Sequence, residues 1–235
     1  MSRVVVLVGA SADLTRALAR DLAASGDRVA VVVDPTSDLI VGDLRARTRG
    51  RTPLRVVADV RDPDAVELVL DEVEELLGPV EVWVGTVPAV AGCPSGDLHP
   101  VRLRVTTDEV YLALAHTTLA VLERMTARGG GTVVQVVPGL AGREAAGRAA
   151  EAGALAAARG FADALAAELR TERSPVRLHH LQVGPDDDVS AVAREVVRIA
   201  HRPAHRGRRL LRAGAVGGGA AVATGTAVLL RRRRR

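Results

Sequence analysis

The sequence contains no lysine and no asparagine, and it has only one cysteine, one tyrosine, one tryptophan and one phenylalanine. All 32 basic residues are therefore arginine, which stays protonated in proteins, so mechanisms that need a lysine of lowered pKa are excluded. The single cysteine, Cys93, cannot form an intrachain disulfide, which favours a reducing, cytoplasmic location. So few aromatic side chains offer no stacking platform for bases, which argues against sequence-specific nucleic-acid binding.

Charge is divided unevenly along the chain. The formal net charge is +4, yet residues 198–235 hold 11 arginines and no acid, whereas residues 1–197 hold 21 arginines and 28 acids. Residues 213–230 form an uncharged segment of 18 residues, which just meets the ~17–25 residues that a membrane-spanning helix needs. The five arginines that follow would suit anionic lipid headgroups. We therefore predict either membrane-surface contact through a tail, residues 213–235, or a loosely docked tail.

Apolar, β-branched runs alternate with helical periodicities through the rest of the chain. Strands are predicted at residues 4–8, 29–33, 54–58, 80–84, 132–137, 176–183 and 208–212. Helices are predicted at residues 14–24, 38–48, 63–77, 107–128 and 145–173, and from Asp188 or Ser190 to residue 200. This alternation is typical of an α/β fold, a doubly wound parallel sheet of the Rossmann type in three α/β/α layers. The alternation of strands and helices predicts one domain over residues 1–212. The apolar run at residues 4–9 has only the length of a strand, so no signal peptide is predicted.

The opening strand, turn, helix and second strand form a unit that could hold a dinucleotide. Gly9 stands at the turn, where a glycine allows the chain to bend sharply after a strand. Asp34 ends the second strand, where an acid can accept a hydrogen bond from the ribose 2′-hydroxyl; it could equally be a turn residue before Pro35. Asp59 ends the third strand and is a candidate either for ligand contact or for a helix cap.

The order of segments resembles the short-chain dehydrogenase/reductase family over residues 3–212. VGASADLT, from residue 8, is similar to the family's TGxxxGxG turn; ADVRD, residues 58–62, resembles its Asp-Val pair, and VEVWVGTVP, residues 80–88, stands where the family reads DVLVNNAG. The resemblance implies an NAD(P) cofactor and oxidoreduction of an alcohol or carbonyl. It places cofactor contacts at Gly9, Ser11, Leu14, Asp34, Asp59 and Val60, and the acid at residue 34 favours NAD over NADP.

Two glycines of that turn are replaced, by Asp13 and Thr15. Helix N-termini favour negative charge, so we expect the Asp13 carboxylate to fill the anion site itself. Like charges ~4 Å apart repel by about 1–4 kcal/mol at dielectric constants of 80 to 20, which would weaken phosphate binding. The turn then either still binds a dinucleotide or only caps its own helix.

The catalytic positions differ from the family's as well. The resemblance implies serine, tyrosine and lysine, usually with an asparagine; alignment puts Pro138, Glu151, Leu155 and Val110 in these four positions. None can perform the family's proton transfer, so no catalytic residue is assigned. The leading interpretation is a catalytically degenerate member, a pseudoenzyme that acts by binding or assembly. The alternatives are an active NAD(P)-dependent oxidoreductase and a membrane-associated scaffold.

Other polar residues predict structure rather than chemistry. Glu151 is expected to be a solvated or interface residue, and His116 a packed histidine with its hydrogen bonds satisfied. The pair His179 and His180 would point to opposite faces of a strand, so no metal site is predicted. The long alanine-rich helix, with its close-packing face at residues 149–169, makes a homo-oligomer an expectation.

Overall fold

Valine-rich runs form six parallel strands in a computed structural model that describes residues 2–9, 12–35, 52–87, 90, 92–140, 146–184 and 186–202. The strands are β1 (Val4–Val8), β2 (Arg28–Val33), β3 (Leu54–Val57), β4 (Val82–Thr86), β5 (Gly131–Pro138) and β6 (Val176–Val183). Their order in the sheet is β3-β2-β1-β4-β5-β6, which is the doubly wound order. The predicted fold class is confirmed.

Helices cover both faces of the sheet. They are α1 (Ala12–Ala24), α2 (Pro63–Leu77), α3 (Pro100–Thr107), α4 (Ala113–Arg128), α5 (Ala149–Thr171) and α6 (Val189–Ala200). Alternate strand residues point to opposite faces, so Val5 and Leu7 pack against α1 and α6, whereas Val4 and Val6 pack against α2 and α4. The three-layer α/β/α arrangement follows, and residues 4–7 of β1 are buried on both faces because each face is covered by helices.

Local sequence signals set most helix ends. The Asp62 carboxylate accepts a hydrogen bond from the Asp64 backbone N–H at 3.0 Å, and Pro63 opens α2 with a ring suited to its first turn. Asp188 is the cap of α6, because its carboxylate accepts a bond from the Ser190 backbone N–H at 3.1 Å. Of the two predicted caps for that helix, the structure selects Asp188.

The helix predicted to start at Thr107 begins seven residues earlier. Pro100 opens α3, and Thr107 lies inside the helical run, where its hydroxyl donates to the Leu103 carbonyl at 2.8 Å. A π-helical turn, Asp108–Leu112, joins α3 to α4. The prediction failed because Val101, Leu103 and Val105 are exposed, so α3 lacks the buried apolar stripe on which helix assignment depends.

Strand β4 also lies two residues later than predicted. Val82 pairs with Val5 of β1, and Thr86 pairs with Val136 of β5, so the ladder between the neighbouring strands fixes this register. The predicted helix at 38–48, the strand at 208–212 and the tail at 213–235 lie outside the described residues. Within the described part of the chain, no helix combines the length and apolar character needed to cross a bilayer.

Candidate functional site

A cavity of about 430 Å³ opens at the carboxyl ends of β1 to β4, where the strand order reverses. Open α/β sheets bind ligands at this place, because the connections leave the sheet in opposite directions there. Four of the six predicted cofactor residues line the cavity: Gly9, Asp34, Asp59 and Val60. Leu14 instead packs into the core with 9 % of its surface exposed, and Ser11 lies outside the described residues.

The side chain of Thr15 packs against the turn after β1, at a position where the family has a glycine. A Cβ added to Gly9 would lie 2.7 Å from the Thr15 Cγ2 atom, so the glycine is required for this approach. Thr15 is 1 % exposed, and its hydroxyl finds no hydrogen-bond partner among the described residues. The third glycine of the family's turn normally allows helix and strand to pack closely; here a threonine fills that contact.

Asp13 does not fill the anion site as predicted. Its side chain is 82 % exposed, and its Oδ1 atom lies 3.4 Å from an Arg16 guanidinium nitrogen one helical turn later. The physical reason is that solvent and a neighbouring cation both stabilise the carboxylate on the outside of the first turn. The residue still adds negative charge at the N-terminus of α1, where a phosphate would bind.

The polar end of the cavity is an acidic rim with one cation. We use the term acidic rim for Asp34, Asp59 and Glu109, and the cation among them is Arg61. Arg61 donates from Nε and a terminal nitrogen to Asp59 at 2.7 and 2.8 Å, and it lies 3.8 Å from Asp34 and 3.9 Å from Glu109. The side-chain bond from Arg61 holds the pKa of Asp59 below its ordinary value.

Sequence reasoning missed both Arg61 and Glu109. Arg61 follows the Asp-Val pair directly, and this adjacency was the one local signal for it. Glu109 lies 48 positions later, in the π-helical turn before α4, and only the fold brings it to the cavity. No sequence pattern of helix or strand periodicity links such distant side chains.

Thr86 stands in the segment where the family carries two asparagines. Its hydroxyl donates to the Val8 carbonyl at 3.0 Å and so ties the end of β4 to the end of β1. This bond lies directly beside the Gly9 turn.

The lysine and asparagine positions are occupied by core residues. Leu155 and Val110, which are 6 % and 0 % exposed, belong to one apolar cluster between α5, α4 and β5. The buried members of this apolar cluster also include Val87, Leu114, Val137, Ala154 and Ala158. None of these buried members carries a titratable group, whereas the partly buried Tyr111, which packs against them, carries a phenol hydroxyl.

Glu151, at the tyrosine position, is buried within the chain, whereas it was predicted to be a solvated or interface residue. It is 2 % exposed, and Arg148 donates to its two carboxylate oxygens at 2.6 and 2.7 Å. The prediction failed because an alanine-rich helix shows little contrast between its buried and exposed faces. Pro138, at the serine position, ends β5 opposite Val183 and has no hydroxyl.

The histidines also differ from expectation in detail. The Nδ1 atom of His116 is buried without a hydrogen-bond partner among the described residues, so this histidine is not satisfied as predicted. Burial lowers the pKa values of His179 and His180, which favours their neutral forms. In the described ranges, no group of three or more His, Cys, Asp or Glu side chains could hold a metal ion.

Residues 3–195 match the sequence profile of the family described as short chain dehydrogenase. The chain belongs to the short chain dehydrogenase family. This membership agrees with the strand order, with the Gly9 turn and with an acid at the end of β2.

Two curated relatives show how distant the similarity is within this family. A short chain dehydrogenase of Pseudocercospora fijiensis is 28 % identical over 179 residues, which is 71 % of this chain and 55 % of that protein. The 2,3-dihydro-2,3-dihydroxybenzoate dehydrogenase of Bacillus subtilis is 28 % identical over 177 residues, 71 % of this chain and 64 % of that protein. In both cases the match spans less than two thirds of the relative's length.

The fold matches that of solved structures that share little sequence with this chain. An alcohol dehydrogenase from Thermococcus sibiricus, complexed with 5-hydroxy-NADP, aligns with a TM-score of 0.72 at 19 % identity. The alignment covers 87 % of this chain and 93 % of that structure. At this identity the similarity shows the fold alone.

Proposed function

We propose that this short chain dehydrogenase family member binds a nucleotide without using the family's proton-transfer chemistry. The observation that carries the proposal is the pair of residues in the tyrosine and lysine positions. Glu151 is held by Arg148 through two hydrogen bonds, and Leu155 is buried in the apolar cluster. A general acid must reach the substrate, and a carboxylate in a buried ion pair is committed to its partner.

The residues around the cavity fit the nucleoside half of a nicotinamide cofactor. Asp34 and Gly9 both line the cavity, and a carboxylate at the end of β2 is suited to accept a hydrogen bond from a ribose hydroxyl. These features support NAD(P) binding, and the carboxylate of Asp34 supports a preference for NAD, because it would repel a 2′-phosphate. When bound, such a cofactor would supply a hydride donor or acceptor.

The test is to titrate the full chain with NADH and NADPH and then to assay turnover with a broad set of carbonyl compounds. We expect nucleotide binding with turnover no higher than that of a Gly9→Asp control, whose side chain would collide with Thr15. Robust turnover by the wild type that the Gly9→Asp substitution abolishes would overturn the proposal.

A second candidate is an active oxidoreductase that uses other groups for proton transfer. The specific observation in its favour is that Gly9, Asp34 and Asp59 line an open cavity, beside the hydrogen bond from Thr86 that ties β4 to β1. If neither NADH nor NADPH binds at about millimolar concentration, this candidate is wrong. A dissociation constant of about 1 mM corresponds to roughly 4 kcal/mol of binding free energy.

We also propose that the chain forms a homo-oligomer through α5. Its solvent-facing side carries small residues at helical spacing, Gly153, Ala157, Gly160 and Ala164, all exposed. Small side chains let helices approach closely. Sedimentation of the wild type beside an Ala157→Glu variant tests this, because a charge in the contact should shift the protein towards monomer; a wild type that is already monomeric would contradict it.

A further inference from the structure

We propose that three arginines at the amino-terminal edge of the sheet, Arg3, Arg177 and Arg202, form a binding site for a phosphate group. We call these three residues the arginine cluster. They lie at the end of the sheet opposite the cavity, so this site is separate from the proposed nucleotide binding and does not depend on it. Three observations support it: the neutral groups that hold the guanidiniums, two buried nitrogens without partners, and the pairing of the acids nearby.

The end of α6 brings the arginine cluster together. Arg3, just before β1, donates to the carbonyls of Ala200 and His201, the second at 3.4 Å. Arg177, in β6, donates to the Arg202 carbonyl at 2.8 Å. Carbonyls at a helix C-terminus carry partial negative charge, which explains why cations gather here. These acceptors are neutral groups, so the hydrogen bonds do not cancel the charge of either guanidinium.

Arg177 lies close enough to the other two arginines to be repelled by them. Burial and, after it, the charges of Arg3 and Arg202 lower the pKa of Arg177 below its ordinary value. An anion placed among the three guanidiniums would offset this repulsion. A phosphate group is suited to the position, because its oxygens can accept charge-assisted hydrogen bonds from several arginines at once.

Two buried nitrogens on one side of β6 have no hydrogen-bond partner among the described residues. They are the Nε atom of Arg177 and the Nε2 atom of His179. These side chains lie two positions apart in the strand and therefore share a face, together with Leu181, which packs in the core beneath α6. A buried donor without a partner costs free energy, and an oxyanion at this place would supply an acceptor.

Glu195 is the acid that faces this group from α6. It raises the pKa of His179, against the larger opposite effects of burial and of Arg177 and Arg202. Its carboxylate is already paired, because Arg198 donates to both oxygens, from its Nε atom at 2.7 Å. Glu195 therefore offsets the charge of the arginine cluster only in part.

Asp27 is another acid at this edge, and it is also paired. It is 2 % exposed, lies 2.7 Å from the Nε2 atom of His201 and accepts a bond from the Arg3 backbone N–H at 3.2 Å. Among the described residues, no carboxylate lies within ion-pair distance of the arginine cluster. Residues 203–235, which follow Arg202, contain nine arginines and no acidic side chain. The positive charge of the cluster is thus left for an external anion.

Capping of α6 explains two members of the cluster but not the third. Arg3 and Arg177 donate to the last carbonyls of the helix. Arg202 contributes only its backbone carbonyl to this arrangement, and the residue is exposed. Its side chain can therefore be changed while both caps stay in place, which makes it the position for a test.

Isothermal titration of the full chain with inorganic phosphate, at constant ionic strength, tests the proposal. We expect the wild type to bind phosphate and Arg202→Gln to bind it about fivefold more weakly, since one charged contact at the surface is lost. Arg104→Gln, which removes an exposed arginine of α3, is the matched control and should bind phosphate as the wild type does. Phosphate binding that is equal in the wild type and in Arg202→Gln would count against the site.

A second variant should strengthen binding. Glu195→Gln removes the carboxylate that faces His179 and releases Arg198 from its pair. Phosphate should then bind a few fold more tightly, because a negative charge near the site is lost and a cation becomes available. Damage to the fold would not produce such a gain. Weaker binding by this variant would contradict the assignment.

Vesicles distinguish a soluble phosphate from the headgroup of an anionic lipid. The full chain is mixed with vesicles of phosphatidylcholine, with or without phosphatidic acid, and the bound fraction is measured after sedimentation. A lipid source predicts that Arg202→Gln, but not Arg104→Gln, lowers binding to the phosphatidic acid vesicles severalfold. A soluble source predicts equal vesicle binding by all three proteins and the difference described above with inorganic phosphate. If Arg202→Gln matches the wild type in both assays, the inference is wrong, and the proposed nucleotide binding is unaffected.

Discussion

Arg148 holds Glu151 through two parallel hydrogen bonds, at the position where the family carries its tyrosine. The carboxylate side chain is 3 % exposed and that of the arginine 30 % exposed, so removal of the arginine would strand a buried charge. We expect Arg148→Met to lower the free energy of unfolding by about 3 kcal/mol, whereas Arg148→Met/Glu151→Leu should lie much closer to the wild type. Urea unfolding followed by circular dichroism gives both values; a single variant as stable as the double variant would contradict the assignment.

The contact between Gly9 and Thr15 gives a second prediction. Gly9→Ala should destabilise the protein by about 1–3 kcal/mol, because its Cβ would overlap the threonine side chain and overpacking strains the core. In a Thr15→Gly background the same substitution should cost far less, since the overlapping atoms are gone. A double-mutant cycle from thermal or urea unfolding measures this coupling. Additive effects would show that the overlap is not the cause.

The bond from Thr86 to the Val8 carbonyl predicts a difference between two small substitutions. Thr86→Val keeps the shape but removes the hydroxyl, so it should cost about 1 kcal/mol of stability by removing this donor to the Val8 carbonyl. Thr86→Ser keeps the donor and should retain most of the stability. Equal unfolding midpoints for the two variants would count against a structural role for this bond.

His179 and His180 predict acid sensitivity. Burial lowers the pKa values of both below the ordinary value of 6.5; Arg177 acts in the same direction on His179, whereas on His180 Asp163 opposes burial and Arg159 reinforces it. The unfolded chain therefore binds more protons than the folded chain below about pH 6.5. The stability that the two neutral histidines contribute is fully present above that pH and is lost as the pH falls through their folded-state pKa values. The free energy of unfolding should fall from about pH 7.5 to about pH 5, and His179→Gln/His180→Gln should flatten that slope. An unchanged slope in the double variant would refute this origin.

The fold could be predicted from the sequence because parallel strands buried on both faces appear as continuous valine runs. Val4–Val8 and Arg28–Val33 are such runs, and a register is then imposed by the neighbouring strands. The shift of β4 and the early start at Pro100 could not be predicted, because strand pairing and the π-helical turn depend on contacts made after folding. Asp188 was one of two caps that the sequence proposed, and only the hydrogen bond decided between them.

The candidate site could be predicted only in part. Gly9, Asp34 and Asp59 each follow a strand, and strand ends in a parallel sheet meet at one edge, so a shared location follows from topology. The position of a charged side chain relative to distant elements does not follow from periodicity. Glu109 reaches the acidic rim and Glu151 becomes buried beside Arg148 only in the folded chain.

We propose that none of the described residues around the nucleotide site serves as a proton-transfer partner. The most direct measurement is a single-turnover reaction in which the full chain, in excess over NADH, meets a panel of reactive carbonyl compounds, and NADH oxidation is followed over time. The account predicts that bound NADH is consumed no faster than in a mixture that contains the Gly9→Asp variant. Rapid oxidation of NADH with formation of the corresponding alcohol would contradict it.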